Sequence, residues 1–264
     1  MANKIILKKK IFSFKKKISI PGDKSISIRW VLISSLANGV SKAKNLLMSE
    51  DVLTTIKAVK KFGVKVIIKK NLCIIHGSGI DGYKYKKNIT INAGNSGTLG
   101  RLISGILIDT PFPIKIIGDK SLSRRDFKRV SDPLSKFGAS FDLHKNYNLP
   151  LVIKGSKELK PIRFFEQRGS AQCKSSVLFA GIKTKGKTII KAKKSRNHTE
   201  LLFKHLKLPI KIKKNRSFDL IEIEKVKKID PLNYKVPSDI SSGAFFIALT
   251  VLTKKSQLII RNVN

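Results

Sequence analysis

Lys24-Ser25-Ile26-Ser27 begins a segment in which small and polar residues lead into an apolar run, a pattern typical of a buried helix. The sequence repeats this pattern, and the starts of the copies are about 70 to 75 residues apart. The four copies run from Lys24 to Gly39, from Gly97 to Ile108, from Ser170 to Gly181 and from Asp239 to Leu252. This period predicts repeated supersecondary units, each built around one copy of the helix.

A second element recurs between these copies. It is an amphipathic helix followed by a tight turn and a run of β-branched residues. Its three occurrences are 51–62 with 64–68, 129–137 with 139–143, and 198–206 with 210–212. The sequence therefore predicts an α/β fold of repeated βαββαβ units, in which residues 21–235 form one complete three-unit domain.

Residues 1–20 and 236–264 are predicted to belong to a second, incomplete domain. The fourth unit begins near Val236 and stops at Asn264, about 40 residues short of the period. A half-built unit leaves an apolar helix face and strand edges uncovered. We therefore expect either that the chain is a fragment of a longer protein or that a partner covers this face.

The formal net charge of +38 arises from 55 basic and 17 acidic residues, a balance that suggests nucleic-acid binding. However, 45 of the basic residues are Lys, only 10 are Arg, and Lys is spread along the whole chain. Zinc-finger, basic-helix and aromatic ribonucleoprotein motifs are missing from the sequence. A genome rich in A and T explains the lysine excess better, and we predict no nucleic-acid partner, although the charge attracts anionic small molecules.

Composition and cysteine usage narrow the class of protein further. Hydrophobic residues make up 41% of the chain, which is typical of a globular protein. Cys73 and Cys173 lie far apart and indicate neither a disulfide framework nor a zinc site. No apolar stretch approaches the roughly 20 residues of a membrane helix, and the lysine-rich N-terminus does not resemble a signal peptide. We predict a cytoplasmic protein without a membrane partner.

Five motifs place anion-binding groups at predicted helix starts or in loops. Free N–H groups and the positive ends of helices attract phosphate and carboxylate. Taken alone, the first motif is equally compatible with an ordinary capped helix, and His198 in the fifth is more often structural than catalytic. The motifs are Pro21–Arg29, Asn92–Thr98, Gly118–Arg125, Ser170–Ser175 and Ser195–Glu200.

Arginine is distributed differently from lysine. Seven of the ten arginines lie in or beside these motifs, namely Arg29, Arg101, Arg124, Arg125, Arg129, Arg168 and Arg196. Because the guanidinium group recognises carboxylate and phosphate bidentately, this bias argues for anion recognition and against a merely solvated basic face. Zinc-site spacing, a catalytic triad and a nucleotide fingerprint are all missing from the sequence.

Taken together and in this order, the motifs resemble those of the EPSP synthase family of enolpyruvyl transferases. The resemblance runs from about Ile18 to the last residue and is carried by 21–27, 94–98, 170–175 and 195–200. It implies two domains of three repeated α/β units each, with the substrates held between them. It also implies transfer of the enolpyruvyl group of phosphoenolpyruvate to the 5-hydroxyl of shikimate-3-phosphate, without metal or organic cofactor. The full-length protein is expected to be a monomer.

The resemblance also assigns roles to individual residues. Lys24 is expected to contact both substrates and to act electrostatically in catalysis. The family's general-base Asp is expected beyond residue 264. Residues expected on the phosphoenolpyruvate side are Asn95, Gly97 and Arg125, and those expected on the shikimate-3-phosphate side are Ser25, Arg29, Ser170, Ala171, Gln172, Ser195 and Arg196, with Gln172 also near phosphoenolpyruvate.

Three departures from the family pattern are visible. Ile28 and Trp30 replace the usual His and Ala of the first motif, and Asp126 replaces the usual Pro after Arg125. We expect Asp126 to pair with Arg124 or Arg125 and to weaken anion binding. Three alternatives stay open: a truncated, inactive module that binds shikimate-3-phosphate, the sister UDP-N-acetylglucosamine enolpyruvyl transferase, and a basic nucleic-acid-binding protein.

Overall fold

The computed structural model describes residues 11–263, and this part of the chain contains three four-stranded sheets. The first sheet contains, in spatial order, β13 (Tyr234–Lys235), β2 (Asn38–Lys44), β4 (Leu72–Ser78) and β3 (Lys65–Lys69). The second contains β5 (Thr90–Asn92), β6 (Ile114–Ile117), β8 (Asn148–Lys154) and β7 (Ser140–His144), and the third β9 (Arg163–Glu166), β10 (Lys187–Lys193), β12 (Phe218–Glu224) and β11 (Ile210–Lys214). In each sheet the first two strands are parallel and the others antiparallel.

Two helices accompany each sheet, one almost entirely buried and one amphipathic. The buried helices are α1 (Lys24–Ser35), α3 (Gly97–Ile106) and α5 (Ala171–Gly181), and the amphipathic ones are α2 (Glu50–Lys60), α4 (Lys128–Ser135) and α6 (His198–His205). Every residue of α3 is buried, and α1 and α5 are buried from their third residue onward. Since helices that are apolar on all sides belong in a core, only the N-terminal ends of α1 and α5 reach the surface.

The repeated α/β architecture is confirmed, but the order of elements within a unit differs from the prediction. The second and third units read βαβαββ, because the two antiparallel strands follow the amphipathic helix as a pair instead of flanking it. The first unit obtains its parallel edge strand, β13, from the far end of the three-unit segment. A two-residue strand carries no hydrophobic period that a sequence pattern can detect.

The described residues on either side of 21–235, namely 11–20 and 236–263, contribute a two-stranded sheet. Strand β1 (Lys15–Ser19) pairs in parallel with β14 (Gln257–Arg261), and α7 (Ile240–Leu252) precedes β14. The apolar face of α7 is uncovered, as expected: Phe245 is 83% and Leu252 84% exposed. The predicted boundary near residue 236 stays a prediction, and the separation of the β1–β14 pair from the three larger sheets is the observation in its favour.

Cys73 and Cys173 are both buried and unbridged. Burial raises the pKa of Cys73 to about 11 and also raises that of Cys173, which keeps both thiols protonated at neutral pH. Within residues 11–263, no helix has the length and apolar character needed to cross a membrane.

Candidate functional site

The first motif forms the N-terminal end of α1. Asp23 caps this helix, since its side chain accepts a hydrogen bond of 2.8 Å from the backbone N–H of Ile26. The side chain of Lys24 is 49% exposed, and its Nζ lies 3.1 Å from Oδ2 of Asp51. Lys24 is therefore partly neutralised by Asp51 yet still accessible to an anionic ligand.

Arg29 lies one turn further along α1 and is only 2% exposed. Its Nε donates to Oγ1 of Thr199 at 2.7 Å, its Nη2 to Oγ of Ser175 at 3.0 Å, and its Nη1 to the backbone oxygen of Ser25 at 3.0 Å. Burial lowers the pKa of Arg29 to about 10, which leaves the group charged at neutral pH. The protein thus fixes the orientation of this guanidinium through three of its nitrogens.

The departures at Ile28 and Trp30 affect the core and not the cleft. Both side chains are completely buried, and Nε1 of Trp30 donates to the backbone oxygen of Leu232 at 3.1 Å. Because both side chains lie in the core, the replacements leave the exposed start of α1 unchanged. The Trp–Leu232 contact also ties α1 to the segment that precedes β13.

A second group of polar residues surrounds the N-terminal end of α3. The side chain of Asn95 joins two charges, because its Nδ2 donates to Asp119 at 2.6 Å and its Oδ1 accepts from Nη2 of Arg125 at 3.2 Å. The hydrogen bond from Asn95 lowers the pKa of Asp119 below its ordinary value. A Cβ added at Gly97 would lie 3.2 Å from Nη1 of Arg125. A larger residue at this position would therefore crowd the arginine.

Arg101 links this group to the third unit. Its Nη1 donates to the side-chain oxygen of Gln172, and Nε2 of Gln172 donates to Oγ1 of Thr98 at 2.9 Å. Arg101 is 6% exposed, and burial lowers its pKa. The start of α5 is thereby held against the start of α3, so that Gln172 lies beside the Asn95 and Arg125 group.

The expected pairing of Asp126 with Arg124 or Arg125 is wrong. The carboxylate of Asp126 lies 3.4 Å from Nη1 of Arg168 and 3.8 Å from Nε of Arg129. Its other oxygen accepts from the backbone N–H of Lys128 at 2.7 Å. The backbone after Arg125 turns the Asp126 side chain toward the third unit, and Arg125 therefore keeps its contact with Asn95.

The fourth and fifth motifs lie at the starts of α5 and α6. Ser170 caps α5 by accepting from the backbone N–H of Cys173 at 3.3 Å, and its own N–H donates to the buried Glu166. Ala171 is the first residue of α5. Arg196 is exposed, whereas Oγ of Ser195 is buried and has no hydrogen-bond partner within residues 11–263.

Contacts join most of the predicted site residues into two connected groups. Asn95, Gly97, Arg125 and Gln172 surround the start of α3, and Ser25 contacts Arg29 near the start of α6. Lys24 belongs to neither group by hydrogen bonding in the described part of the chain; its contact is Asp51. Within residues 11–263, no group of three or more His, Cys, Asp or Glu side chains is arranged to hold a metal ion.

Comparison with known proteins identifies the family of this chain. The family profile described as EPSP synthase (3-phosphoshikimate 1-carboxyvinyltransferase) matches residues 8–264. The chain belongs to this family. A 3-phosphoshikimate 1-carboxyvinyltransferase of Caldicellulosiruptor saccharolyticus is 43% identical over 251 residues, covering 93% of this chain and 57% of that protein. The corresponding protein of a Sulfurihydrogenibium species is 39% identical over 257 residues, covering 97% of this chain and 59% of that protein.

Solved structures of the EPSP synthase family show the same fold. An EPSP synthase from Acinetobacter baumannii superposes with a TM-score of 0.86 at 33% sequence identity. The alignment covers 96% of this chain and 56% of that protein. This chain therefore spans a little over half the length of the relatives that it matches.

Several polar residues of this EPSP synthase family member were not among the predicted site residues. Arg101 lay beside the second motif, but nothing in the sequence indicated its contact with Gln172. Asp119, Ser175 and Thr199 lie inside the motifs, and their hydrogen bonds hold Asn95 and Arg29 in place. Their presence inside the motifs indicated that these residues matter for the site. It could not show whether they contact a ligand or hold other site residues in place.

Proposed function

We propose that this chain is part of an enzyme that transfers the enolpyruvyl group of phosphoenolpyruvate to the 5-hydroxyl of shikimate-3-phosphate. The products would be 5-enolpyruvylshikimate-3-phosphate and phosphate, on the route to chorismate and aromatic amino acids. Family membership supports this reaction. The observation that carries the proposal is the placement of two hydrogen-bonded pairs, Arg125 with Asn95 and Arg101 with Gln172, at one helix start. Nη1 of Arg125 and Nη1 of Arg101 lie 3.2 and 3.5 Å from the position of a Cβ at Gly97, so cations and amides from distant motifs meet at the start of α3.

The group at the start of α3 suits phosphoenolpyruvate. This substrate carries a phosphate and a carboxylate, and both are bound well by guanidinium groups and by free N–H groups at a helix start. Arg125 is exposed and oriented by Asn95, while Gly97 leaves room for the Arg125 guanidinium to lie against the start of α3. We assign Asn95, Gly97 and Arg125 to this substrate.

The starts of α1, α5 and α6 suit shikimate-3-phosphate. Ser25 and Arg29 lie on α1, Ser170, Ala171 and Gln172 at the start of α5, and Ser195 and Arg196 immediately before α6. The buried hydroxyl of Ser195, which has no partner among residues 11–263, is available to a phosphate or hydroxyl oxygen. Lys24, half exposed beside Asp51, is assigned to both substrates.

The chemistry requires groups that are already in place before charge develops. Fixed cations and N–H groups stabilise negative charge without rearrangement at the moment of reaction, and two bound substrates react more readily than two free ones. In this chain, internal hydrogen bonds provide such fixation for Arg29, Arg101 and Arg125. The proton acceptor for the 5-hydroxyl is expected outside this sequence.

Calorimetry and a phosphate-release assay test the proposal together. The chain is titrated with shikimate-3-phosphate, then with phosphoenolpyruvate in the presence of the first ligand, and phosphate release is followed with both present. Binding with release supports the full proposal. If neither ligand gives binding heat or thermal stabilisation, the proposal is wrong for this chain.

A second candidate is a module that binds shikimate-3-phosphate without turnover. The observation in its favour is that the chain spans only 56 to 59% of the relatives' length. Binding of shikimate-3-phosphate without phosphate release would support this alternative over the first. The expectations of a monomeric, cytoplasmic protein remain predictions. Weak, salt-insensitive retention on heparin would exclude nucleic-acid binding, whereas strong retention that falls steeply with salt concentration would support it.

A further inference from the structure

A completely buried ion pair joins α5 to α6 and has no part in the proposed substrate contacts. Nζ of Lys174 lies 2.6 Å from Oε1 of Glu200, and the two side chains are 1% and 2% exposed. Lys174 lies in the first turns of α5, and Glu200 is the third residue of α6. The pair therefore connects the N-terminal ends of two helices that both carry predicted ligand residues.

Stability alone is a weak reason for such a pair. Removing two charges from water costs about as much as their attraction returns, so that apolar side chains of similar size hold two helices together as well. The pair is also incompletely satisfied in the described part of the chain. Nζ of Lys174 is close to Oε1 of Glu200 but makes no well-aligned hydrogen bond, and Oε2 of Glu200 is buried without a hydrogen-bond partner. What an ion pair adds over an apolar contact is a fixed relative position of the two charged groups.

The residues next to the pair hold Arg29. Ser175 follows Lys174, and Thr199 precedes Glu200. Oγ1 of Thr199 accepts from Arg29 and donates to Oγ of Ser175 at 2.7 Å, and Ser175 donates to the backbone oxygen of Ala171 at 2.6 Å. A shift of α6 against α5 would separate Thr199 from Ser175 and would release the guanidinium that both orient.

We infer that Lys174 and Glu200 are positioning residues for the shikimate-3-phosphate side of the site. The pair fixes the start of α6 against the first turns of α5, and this placement orients Arg29 and positions Ser195 and Arg196, which precede α6. The inference rests on the proposed function, because it names the ligand whose contacts the pair positions.

A double replacement tests the inference and retains the buried packing. The variant Lys174→Met with Glu200→Leu removes both charges, whereas either single change would leave an unpaired buried charge. The chain offers a matched control, since Nζ of Lys183 lies 2.6 Å from Oδ1 of Asp109 with side chains 3% and 26% exposed. Lys183 is about 13 Å along the helix direction from Lys174. The control variant is Lys183→Met with Asp109→Leu.

The measurements are the melting temperature and the calorimetric Kd for shikimate-3-phosphate. We expect the first double variant to melt within a few degrees of the parent and to bind at least about 10-fold more weakly, because small displacements are costly at a preorganised site. The control should bind within about 2-fold of the parent, because its pair lies at the other end of α5.

Each result has a distinct meaning. Unchanged affinity in the first double variant, or equal weakening in the control, would overturn the inference while leaving the proposed function intact. If the parent chain itself does not bind shikimate-3-phosphate, the proposed function fails, and the ligand assignment of the pair fails with it. Should the double variant not fold, Lys174→Gln with Glu200→Gln removes both charges with side chains that can still hydrogen-bond, and a Kd equal to that of the parent would overturn the inference.

Discussion

The guanidinium of Arg29 and the hydroxyl of Thr199 are joined by a hydrogen bond of 2.7 Å, although 170 residues separate them in the chain. The bond connects the first repeated unit to the third at the level of the proposed site. Both residues are buried, at 2% and 0% exposure. Arg29, from the first motif, is therefore held inside the protein by a residue of the fifth motif.

Replacing Thr199 by Val should destabilise the fold, because the charged donor of Arg29 then loses its acceptor in a buried position. The expected loss is about 1 to 3 kcal/mol in the free energy of unfolding, measured by urea denaturation. Thr188→Val is the matched control, since Thr188 is also fully buried but its Oγ1 has no partner among the described residues. That change should be neutral or stabilising, and equal losses in both variants would contradict the assigned role of the Arg29–Thr199 bond.

The sequence was sufficient to predict the helices but not the strand order. Hydrophobic period and turn residues located 51–62, where α2 covers Glu50–Lys60, and 198–206, where α6 covers His198–His205. Local patterns of this kind depend on burial along one element. The pairing of β13 with β2 brings the end of the three-unit segment next to its first unit, and no pattern of neighbouring residues in the sequence predicts such a long-range pairing.

In the candidate site, too, contacts within a motif or between expected partners were predictable from the sequence, whereas contacts between units were not. Motif chemistry identified Asn95 and Arg125 as neighbours of an anion, and their side chains are in contact. The partner of Asp126 could not be predicted, because Arg168 belongs to the third unit, and only the packing of the units brings the two side chains together. Residues that bind a ligand and residues that support them are similar in type, so the sequence could not separate Arg101 from Arg125.

Arg125→Gln should weaken phosphoenolpyruvate binding by about 10- to 100-fold, since a hydrogen bond to a charged group contributes about 1.5 to 3 kcal/mol. The residue is exposed, so the melting temperature should change little. Arg124→Gln removes the same charge from the neighbouring exposed position and should change the affinity by less than about 3-fold. Calorimetry with shikimate-3-phosphate present measures both, and similar effects would mean that only the overall charge attracts the ligand.

His198 should make the stability of the fold depend on pH. Burial, followed by the charges of Arg29 and Arg196, lowers its pKa below the ordinary value of 6.5, against the opposing influence of Asp23 and Asp239. The unfolded chain therefore binds the proton more readily than the folded one, and stability should be retained above about pH 6.5 and decrease as the pH falls below it.

The replacement His198→Gln should remove this contribution. Urea denaturation between about pH 5 and pH 7.5 should then show a shallower decrease than in the parent, within the single-proton limit of about 1.4 kcal/mol per pH unit. His144→Gln on β7 is the control, because His144 is exposed and should leave the parent curve unchanged. Parallel curves for the parent and His198→Gln would rule out His198 as the source of the dependence.

Gly105 allows α3 and α5 to approach so closely that their N-terminal ends can share the Arg101–Gln172 contact. A Cβ at this position would lie 2.0 Å from the backbone oxygen of Ser176, and relief would require moving one helix away from the other. We expect Gly105→Ala to lower the free energy of unfolding by about 3 kcal/mol or more, despite the better helix propensity of Ala.

Gly100→Ala is the matched change one and a half turns earlier on the same helix. Its Cβ would lie 3.2 Å from the edge of the Phe127 ring, a side chain that can yield slightly, so the gain in helix propensity of about 1 kcal/mol should largely offset the crowding. Denaturation of both variants measures the difference.

Because helix separation would also break the hydrogen bond between Arg101 and Gln172, Gly105→Ala should weaken phosphoenolpyruvate binding even where the chain remains folded. An affinity equal to that of Gly100→Ala would show that the site does not depend on this close approach.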